Sequence, residues 1–362
     1  QKTNIIFEPG LKDIQLKHTN RLTITSDFSI IKKAKIIFVA KDVKTNHNNV
    51  ANYKEVKNLI KKIKIYKKSK VLVIMCQVEP GFTRDIDWDL NKKYHFVETL
   101  VFGKAISRAV NPERIIIGKS KKNIKINKYF NNYLRKFTKK IIKLNYEESE
   151  LTKTYINIYL ASQVTTTNIL NEISKSYNAK WKDIKSAIQL DRRIGKFSYL
   201  EPGLGISGGN IERDIKTLEK LTLKKKISSE FFKLLQNKSK YFKSWAIREC
   251  KSSKSIGILG MTYKENSKST KNSAQSYLIK NLNKKSKIYF HDKKLKNFNS
   301  FNKVVKYKEF EKILMKVDTL IIFHNINLYK NINVNKYKNI KKVIDPFKVM
   351  IKKPTKKKYS SL

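Results

Sequence analysis

The sequence predicts an α/β protein in which two parallel-sheet regions flank a helical middle region. Short apolar runs alternate with helical patterns in the first and last thirds of the chain, and one long helical pattern lies between them. Of the 362 residues, 40% are hydrophobic, which is ample for more than one core. No apolar run approaches the roughly 20 residues of a membrane-spanning helix, so we expect no membrane partner.

In the first third, apolar runs predict buried strands at 34–40, 70–76 and 114–118. The segment between the first two runs predicts a helix, because four apolar residues recur on one helical face: Val56, Leu59, Ile60 and Ile63. Strands that alternate with helices indicate a parallel sheet.

The middle of the chain predicts helices only. One long helix is expected from Glu147 to Lys180, and a second helical stretch from about Asn210 to Arg248. Strand-like runs then return at 255–261, 287–292, 319–324 and 342–347. Residues 274–285 supply a crossover helix after the first of these runs, and residues 351–362 are expected to form a solvated basic tail.

The charge is strongly positive, with 80 Lys and Arg residues against 29 Asp and Glu residues, a net of +51. The lysines are spread over every segment and mixed with Ile and Asn, which share A/T-rich codons with Lys. We find no RNA-binding aromatic motif and no helix-turn-helix, so we do not expect a dedicated nucleic-acid partner. The charge favours a general attraction to anions, including nucleotide phosphates.

The cysteines and histidines predict neither a disulfide framework nor a metal site. Cys76 and Cys250 belong to no C-x-x-C pair, and the five histidines show no metal-ligand spacing. A reducing, cytoplasmic setting fits best.

Gly203, Gly205 and Gly208 spell G-x-G-x-x-G, the pattern of a dinucleotide-binding turn. That turn needs a buried strand before it and a second strand after the following helix. Here a charged segment precedes the glycines and a long helical pattern follows them. We therefore predict that the match is accidental and that the glycines serve another purpose.

Seven segments point to one family, and their common order and spacing carry more weight than any single motif. They are IIFEPGLKDI, MCQVEPGFTR, ETLVFGKAISRAVNPERIIIG, ELTKTYINIYLASQ, DRRIG, PGLGISGGNIERD and LGMTYKENSKSTKNS. In this order they resemble the motifs of the UDP-glucose/GDP-mannose dehydrogenase family over nearly the whole chain.

This resemblance implies a domain layout. Residues 1–146 would be a Rossmann-like NAD-binding domain whose first βαβ unit, with the true cofactor turn, precedes Gln1. Residues 147–248 would be a helical dimerisation and substrate region, which implies a homodimer. Residues 249–350 would be a Rossmann-like domain that binds the nucleotide of a UDP-sugar or GDP-sugar, and residues 351–362 the basic tail.

The resemblance also implies a chemistry, because family members oxidise the C6 hydroxyl of a nucleotide sugar to a carboxylate with two NAD⁺ per turnover. Lys153 matches the lysine that stabilises the oxyanion, and Asn157 matches the asparagine that holds a water for the same purpose. Their i, i+4 spacing places them on one helical face. Asp214 matches the aspartate that supports proton transfer. Its other expected role is that of a favourable acid in the first turn of a helix.

The glycines of 203–209 match the family loop that passes close to the sugar, where a backbone without Cβ can approach a ligand. The family's nucleophilic cysteine, which captures the aldehyde as a thiohemiacetal, is replaced here by Asn210. A carboxamide is no nucleophile, and Asn210 is equally well explained as a helix N-cap.

Further departures concern the substrate and cofactor contacts. Gln77 stands in place of a threonine, Phe102 in place of a glutamate, and Lys271 in place of an arginine. Glu98 retains a family glutamate and is either a sugar contact or a solvated loop acid. Cys76 would lie near the nicotinamide, either as a substitute thiol or as a buried hydrophobe. Lys264 and Lys271 would either contact the diphosphate or be solvated.

The function implied is NAD-dependent oxidation of a nucleotide-sugar alcohol in polysaccharide precursor synthesis. Without the cysteine, a two-electron oxidation to an aldehyde or ketone is one solution, and loss of a second hydride from a hydrated aldehyde is another. The alternative is a catalytically impaired paralogue that only binds nucleotide sugars.

Overall fold

The computed structural model describes residues 8–101, 103–265, 267–282, 286–295 and 304–362. The chain divides into two compact units, residues 1–157 and 158–362. The division falls inside one long helix, so it coincides with neither of the predicted boundaries at 146 and 248. In the part of the chain that the structure describes, no helix combines the length and apolar character needed to cross a bilayer.

In its described residues, the first unit contains seven strands and the helices between them. The strands are β1 (Ile36–Val39), β2 (Lys44–Thr45), β3 (Ala51–Asn52), β4 (Val71–Ile74), β5 (Lys93–Phe96), β6 (Ile115–Lys119) and β7 (Ile141–Asn145). The helices are α1 (Leu11–Lys17), α2 (Lys54–Ile63), α3 (Ala105–Val110), α4 (Lys128–Arg135) and α5 (Tyr146–Ser176), of which α5 continues into the second unit. Single 3-10 turns occur at Thr19–Arg21, Phe28–Lys33 and Lys64–Tyr66.

Five of these strands form one sheet in the order β1-β4-β5-β6-β7. β1, β4 and β5 run parallel, β6 is antiparallel to β5, and β7 is parallel to β6. The carboxyl ends of β1, β4 and β5 therefore meet at one edge of the sheet. The predicted strands at 34–40, 70–76 and 114–118 are confirmed as β1, β4 and β6, whereas β5 and β7 were not predicted.

The core of this unit follows from the apolar patterns. All four residues of β4 are buried, and α2 buries Val56, Ile60 and Ile63 against that side of the sheet. Of the predicted helical face, Leu59 is only partly buried. The first turn of α5 packs so closely on β6 that a Cβ on Gly118 would lie 2.0 Å from Ser149 Oγ.

The second unit begins with helices and ends with a sheet. After α5 come α6 (Trp181–Leu190), α7 (Asn210–Lys224), α8 (Glu230–Lys243) and α9 (Trp245–Glu249). The strands and the helices between them are β8 (Ser255–Leu259), α10 (Ala274–Asn281), β9 (Lys287–His291), β10 (Val304–Lys306), α11 (Glu311–Leu314), β11 (Thr319–Ile322), α12 (Asn327–Lys330), β12 (Lys342–Ile344) and β13 (Lys358–Ser360), with a 3-10 turn at Val334–Lys336. The helix predicted to reach Lys180 ends at Ser176, and the stretch predicted from Asn210 to Arg248 is three helices.

The sheet of the second unit is parallel throughout, with the order β10-β9-β8-β11-β12-β13. Numbered from β8, this is the order 3-2-1-4-5-6 of a doubly wound Rossmann fold. The strand order reverses between β8 and β11, and ligands of such sheets bind outside the carboxyl ends of the strands at that point. The predicted α/β, helical, α/β fold class is confirmed.

One prediction was wrong, because residues 351–362 are not simply a solvated basic tail. β13 pairs with β12 as the edge strand of the sheet. Lys357 Nζ donates to the carbonyl oxygens of Tyr337 and Ile340, and Leu362 packs on the apolar core. Lys357 holds backbone carbonyls, which composition alone does not reveal.

Candidate functional site

The first turns of α5 are held against the turn that follows β4. Glu150 is buried, and its carboxylate accepts hydrogen bonds from the backbone N–H groups of Gly81 (2.7 Å) and Thr83 (2.8 Å). Burial raises the pKa of Glu150, and these donors oppose that rise. The contacts fix the helix at the edge of the sheet where β4 ends.

Lys153, one turn after Glu150, lies near enough to Glu98 for the two charges to interact. Both side chains are half-buried. Burial raises the pKa of Glu98, and the nearby charge of Lys153 lowers it in part. Asn157 follows one turn later on the same helix and is buried. The structure thus brings the predicted lysine and glutamate together, with the asparagine on the same side of α5.

Gln77 and Cys76 follow β4 and differ in character. Gln77 Nε2 donates to Thr154 Oγ1 at 3.0 Å, which places its amide beside Lys153 along the helix. Cys76 is buried in the apolar core, and its thiol donates to Val39 O at 3.3 Å. Burial raises the pKa of Cys76 to about 11, so this thiol stays protonated and is poorly suited to replace a missing nucleophile.

We predict that both cysteines resist alkylation. Burial raises the pKa of Cys250 to about 12, so neither thiol of the folded protein forms appreciable thiolate at pH 8. Because ordinary thiols have a pKa near 8.5, labelling by iodoacetamide at pH 8 should be at least about 100-fold slower than in 8 M urea. Mass spectrometry of tryptic peptides measures this, and rapid labelling of Cys76 in the folded protein would contradict it.

In the second unit, the glycine-rich loop at 203–209 connects α6 to α7 and is not preceded by a strand. Hydrogen bonds to three other segments hold it. Gly203 N–H donates to Asn168 Oδ1 (2.7 Å), Ile206 N–H to Ser239 Oγ (3.0 Å) and Gly208 N–H to Lys271 O (3.1 Å), while Asn272 Nδ2 donates to Gly208 O (2.9 Å). The loop is therefore a fixed surface, braced by α5, by α8 and by the loop after β8.

Gly205 and Gly203 offer a matched pair of substitutions. Gly205 has a φ of +76°, and a Cβ there would lie 2.6 Å from Ser239 O, whereas a Cβ on Gly203 would meet no atom within 4 Å. We expect Gly205→Ala to lower the free energy of unfolding by about 2 kcal/mol or more, and Gly203→Ala by less than about 1 kcal/mol. Urea denaturation checks this; equal losses would contradict the described packing.

Helix α7 carries the predicted residues Asn210 and Asp214. Two expectations about them were wrong, namely that Asn210 caps the helix and that Asp214 is an acid of its first turn. Asn210 is the first helical residue, with Gly209 at the N-cap position, so the carboxamide does not cap the helix. The acid of the first turn is Glu212, whereas Asp214 lies deeper in the helix. Asp214 is buried, and its Oδ1 accepts from Arg213 Nε at 3.3 Å.

Lys264 and Lys271 lie in the loop that connects β8 to α10, at the point where the strand order reverses. Both lysines are exposed. Lys271 borders the glycine-rich loop, because a Cβ built on Gly209 would lie 3.7 Å from Lys271 Nζ. The structure thus joins the predicted glycine loop, Asn210 and Lys271 in one surface at the start of α7, where helix N–H groups and a lysine attract anions.

Comparison with known proteins decides the family. Residues 1–137 match the model of the NAD binding domain of the UDP-glucose/GDP-mannose dehydrogenase family, residues 147–240 its central domain, and residues 257–352 its UDP binding domain. The chain belongs to the UDP-glucose/GDP-mannose dehydrogenase family.

Individual relatives agree with this assignment. An uncharacterised protein of Methanocaldococcus jannaschii is 31% identical over 222 residues, 58% of this chain and 25% of that protein. A UDP-glucose 6-dehydrogenase of Rickettsia prowazekii is 27% identical over 279 residues, 72% of this chain and 64% of that enzyme. The chain thus spans less than two thirds of either relative. The fold matches a UDP-glucose dehydrogenase from Pyrobaculum islandicum with a TM-score of 0.83 at 18% identity, over 95% of this chain and 85% of that one.

The residues described here fit the NAD of this family in part. The half-buried amide of Gln77 and the turn at 79–83, held by Glu150, suit the nicotinamide end at the carboxyl edge of β4. Within residues 8–101 and 103–157, no G-x-G-x-x-G turn joins a strand to a helix. The pyrophosphate end is therefore not accounted for by the described part of this unit.

Several residues of these surfaces were not predicted from the family motifs. Glu150, Asn168, Ser239 and Tyr263 all contact predicted loops, Tyr263 by lying 3.5 Å from a Cβ built on Gly208. Glu150 and Tyr263 lie within the segments ELTKTYINIYLASQ and LGMTYKENSKSTKNS, but the motifs assigned no role to either residue. Phe102 lies outside the described residues. Among those residues, no cluster of three or more His, Cys, Asp or Glu side chains could hold a metal ion.

Proposed function

We propose that this protein oxidises an alcohol of a UDP-sugar, with NAD⁺ as the hydride acceptor, in the synthesis of polysaccharide precursors. The observation that carries the proposal is the neighbouring pair of Lys153 and Glu98, with Asn157 one turn along α5, in a chain that matches all three domains of the family. A GDP-sugar is the alternative substrate.

Each residue has a separate task in this proposal. When bound, NAD⁺ accepts the hydride, and Gln77 with the turn at 79–83 would hold its nicotinamide end. The ammonium of Lys153 and the amide of Asn157 stabilise negative charge on the sugar oxygen. The carboxylate of Asp214, held by Arg213, supports removal of the hydroxyl proton.

The extent of the oxidation follows from Asn210. Its carboxamide cannot add to an aldehyde as a thiolate does, and both cysteines are buried with raised pKa values. We therefore propose a two-electron oxidation that ends at an aldehyde or ketone. Loss of a second hydride from a hydrated aldehyde is the other solution.

The test is the ratio of NADH formed to sugar consumed, measured with the full-length protein and a panel of UDP- and GDP-sugars. One NADH per sugar supports the two-electron reaction. Two would show that the second oxidation proceeds without a thiol. No NADH with any sugar of the panel would overturn the proposal.

The second candidate is a nucleotide-sugar-binding paralogue without turnover, and the observation that favours it is again Asn210 in place of the thiol. It predicts saturable calorimetric binding of a UDP-sugar together with no NADH.

We further propose a homodimer through the helical middle region, where Tyr159, Tyr177 and Phe197 are more than two thirds exposed, at 74%, 81% and 85%. Sedimentation velocity tests the dimer, and a monomer at 50 μM would overturn it.

A further inference from the structure

One buried face of α8 contacts both the glycine-rich loop and the first turn of α7. Ser239 and Lys243 lie one helical turn apart on this face, and both are buried. Ser239 Oγ accepts from Ile206 N–H in the middle of the loop. Lys243 Nζ lies 2.6 Å from Glu212 Oε1, in the first turn of α7.

The Glu212–Lys243 pair lies away from solvent, with side-chain exposures of 13% and 5%. Burial lowers the pKa of Lys243, and the carboxylate of Glu212 opposes that shift. Such a pair does little for stability compared with apolar residues of similar size. Its presence beside the glycine-rich loop therefore calls for an explanation other than stability.

The position of Glu212 supplies that explanation. It lies two residues after Asn210, at the end of α7 that faces Lys271. An unpaired carboxylate there would weaken the attraction of the helix N-terminus for an anionic group, and Lys243 neutralises it. The same contact ties the first turn of α7 to the helix that holds Ile206.

We propose that Glu212 and Lys243 are a positioning pair, which holds Asn210 and the glycine-rich loop in their working geometry. The effect of this pair on catalysis rests on the proposed function, whereas its effect on the geometry of the glycine-rich loop does not.

The experiment replaces both partners together, as Glu212→Leu with Lys243→Met, so that neither charge of this pair is left behind without the other. The matched control is Glu249→Leu with Lys342→Met, because that ion pair is also largely buried in the second unit but contacts α9 and β12. We expect both double variants to keep a Tm within about 4 °C of the wild type.

In the test variant, kcat with UDP-glucose should fall by about 10- to 100-fold while KM changes by less than about threefold, because the loop is misplaced and the nucleotide contacts remain. Amides of residues 205–214 should exchange hydrogen faster by about tenfold or more. In the control variant, kcat and exchange at 205–214 should stay within twofold of the wild type.

Unchanged exchange at 205–214 in the test variant overturns the proposal, and so does an unchanged kcat in an active enzyme. If the wild type itself forms no NADH, the proposed function fails, yet the exchange result still decides the positioning role. Should the test variant fail to fold, Glu212→Gln with Lys243→Gln removes the charges at nearly the same length, and the same criteria apply.

Discussion

Replacing Lys153 by methionine should lower kcat by about 100- to 1000-fold, the range found when one oxyanion donor is removed. Methionine keeps the length and apolar stem of the side chain but lacks the ammonium that interacts with the charge of Glu98. The loss should appear mainly in kcat, because negative charge on the sugar oxygen develops only as its proton is removed in the reaction, before departure of the hydride forms the carbonyl. Initial rates of NADH formation over a range of UDP-sugar concentrations measure it.

Lys182→Met is the control for this prediction. Lys182 is exposed on α6, and its side chain should tolerate the change with less than a twofold effect on kcat. A Lys153→Met enzyme that retains more than a tenth of wild-type kcat would refute the assignment of Lys153 to the oxyanion.

Replacing Asn210 by cysteine should raise the yield from one NADH per sugar to two. The thiolate would add to the aldehyde carbon and form a thiohemiacetal, whose hydride leaves to give a thioester, and water would then release the carboxylate and the thiol. Asn210 is not an N-cap, so the exchange removes no cap, and the start of α7 lowers the pKa of a thiol placed there.

Asn210→Ser is the matched control, because a hydroxyl of similar size is a far weaker nucleophile and the yield should remain one. Mass spectrometry of Asn210→Cys quenched in acid should also show a sugar-nucleotide adduct on the peptide that contains residue 210. A yield of one with both variants would refute the placement of Asn210 at the reacting carbon.

The strands that consist of apolar runs were predicted from the sequence, whereas strands with polar residues among them were missed. β4 is a continuous apolar strand, and so is β8 after its first residue, Ser255; parallel sheets bury such strands on both faces. β5 was missed because Lys93 and His95 are polar in isolation. In the fold, the Lys93 ammonium donates to the carbonyl oxygens of Arg84 and Ile86, and His95 bonds Ser149. Ser149 is 54 residues from His95 in sequence, and no local pattern shows that Lys93 bonds carbonyls seven and nine residues before it.

The candidate site was likewise predicted where it depends on local sequence and missed where it depends on tertiary contacts. The spacing of Lys153 and Asn157 predicted one helical face, since helix periodicity is a local property. The bracing of the glycine-rich loop by Asn168 and Ser239 joins segments more than 30 residues apart in sequence, and tertiary packing alone creates it. The expected cap at Asn210 was wrong because the helix begins one residue earlier than the cap prediction requires.

The continuity of α5 affects any attempt to dissect the protein. The division between the two compact units falls between Asn157 and Ile158, in mid-helix, with unbroken helical hydrogen bonding from Tyr146 to Ser176. A gene fragment that stops at this border would leave up to four carbonyls of one piece and four amides of the other without their helical partners. Fragments for separate expression should therefore overlap, each retaining the whole of α5, and a linker inserted at this border would interrupt a helix rather than lengthen a loop.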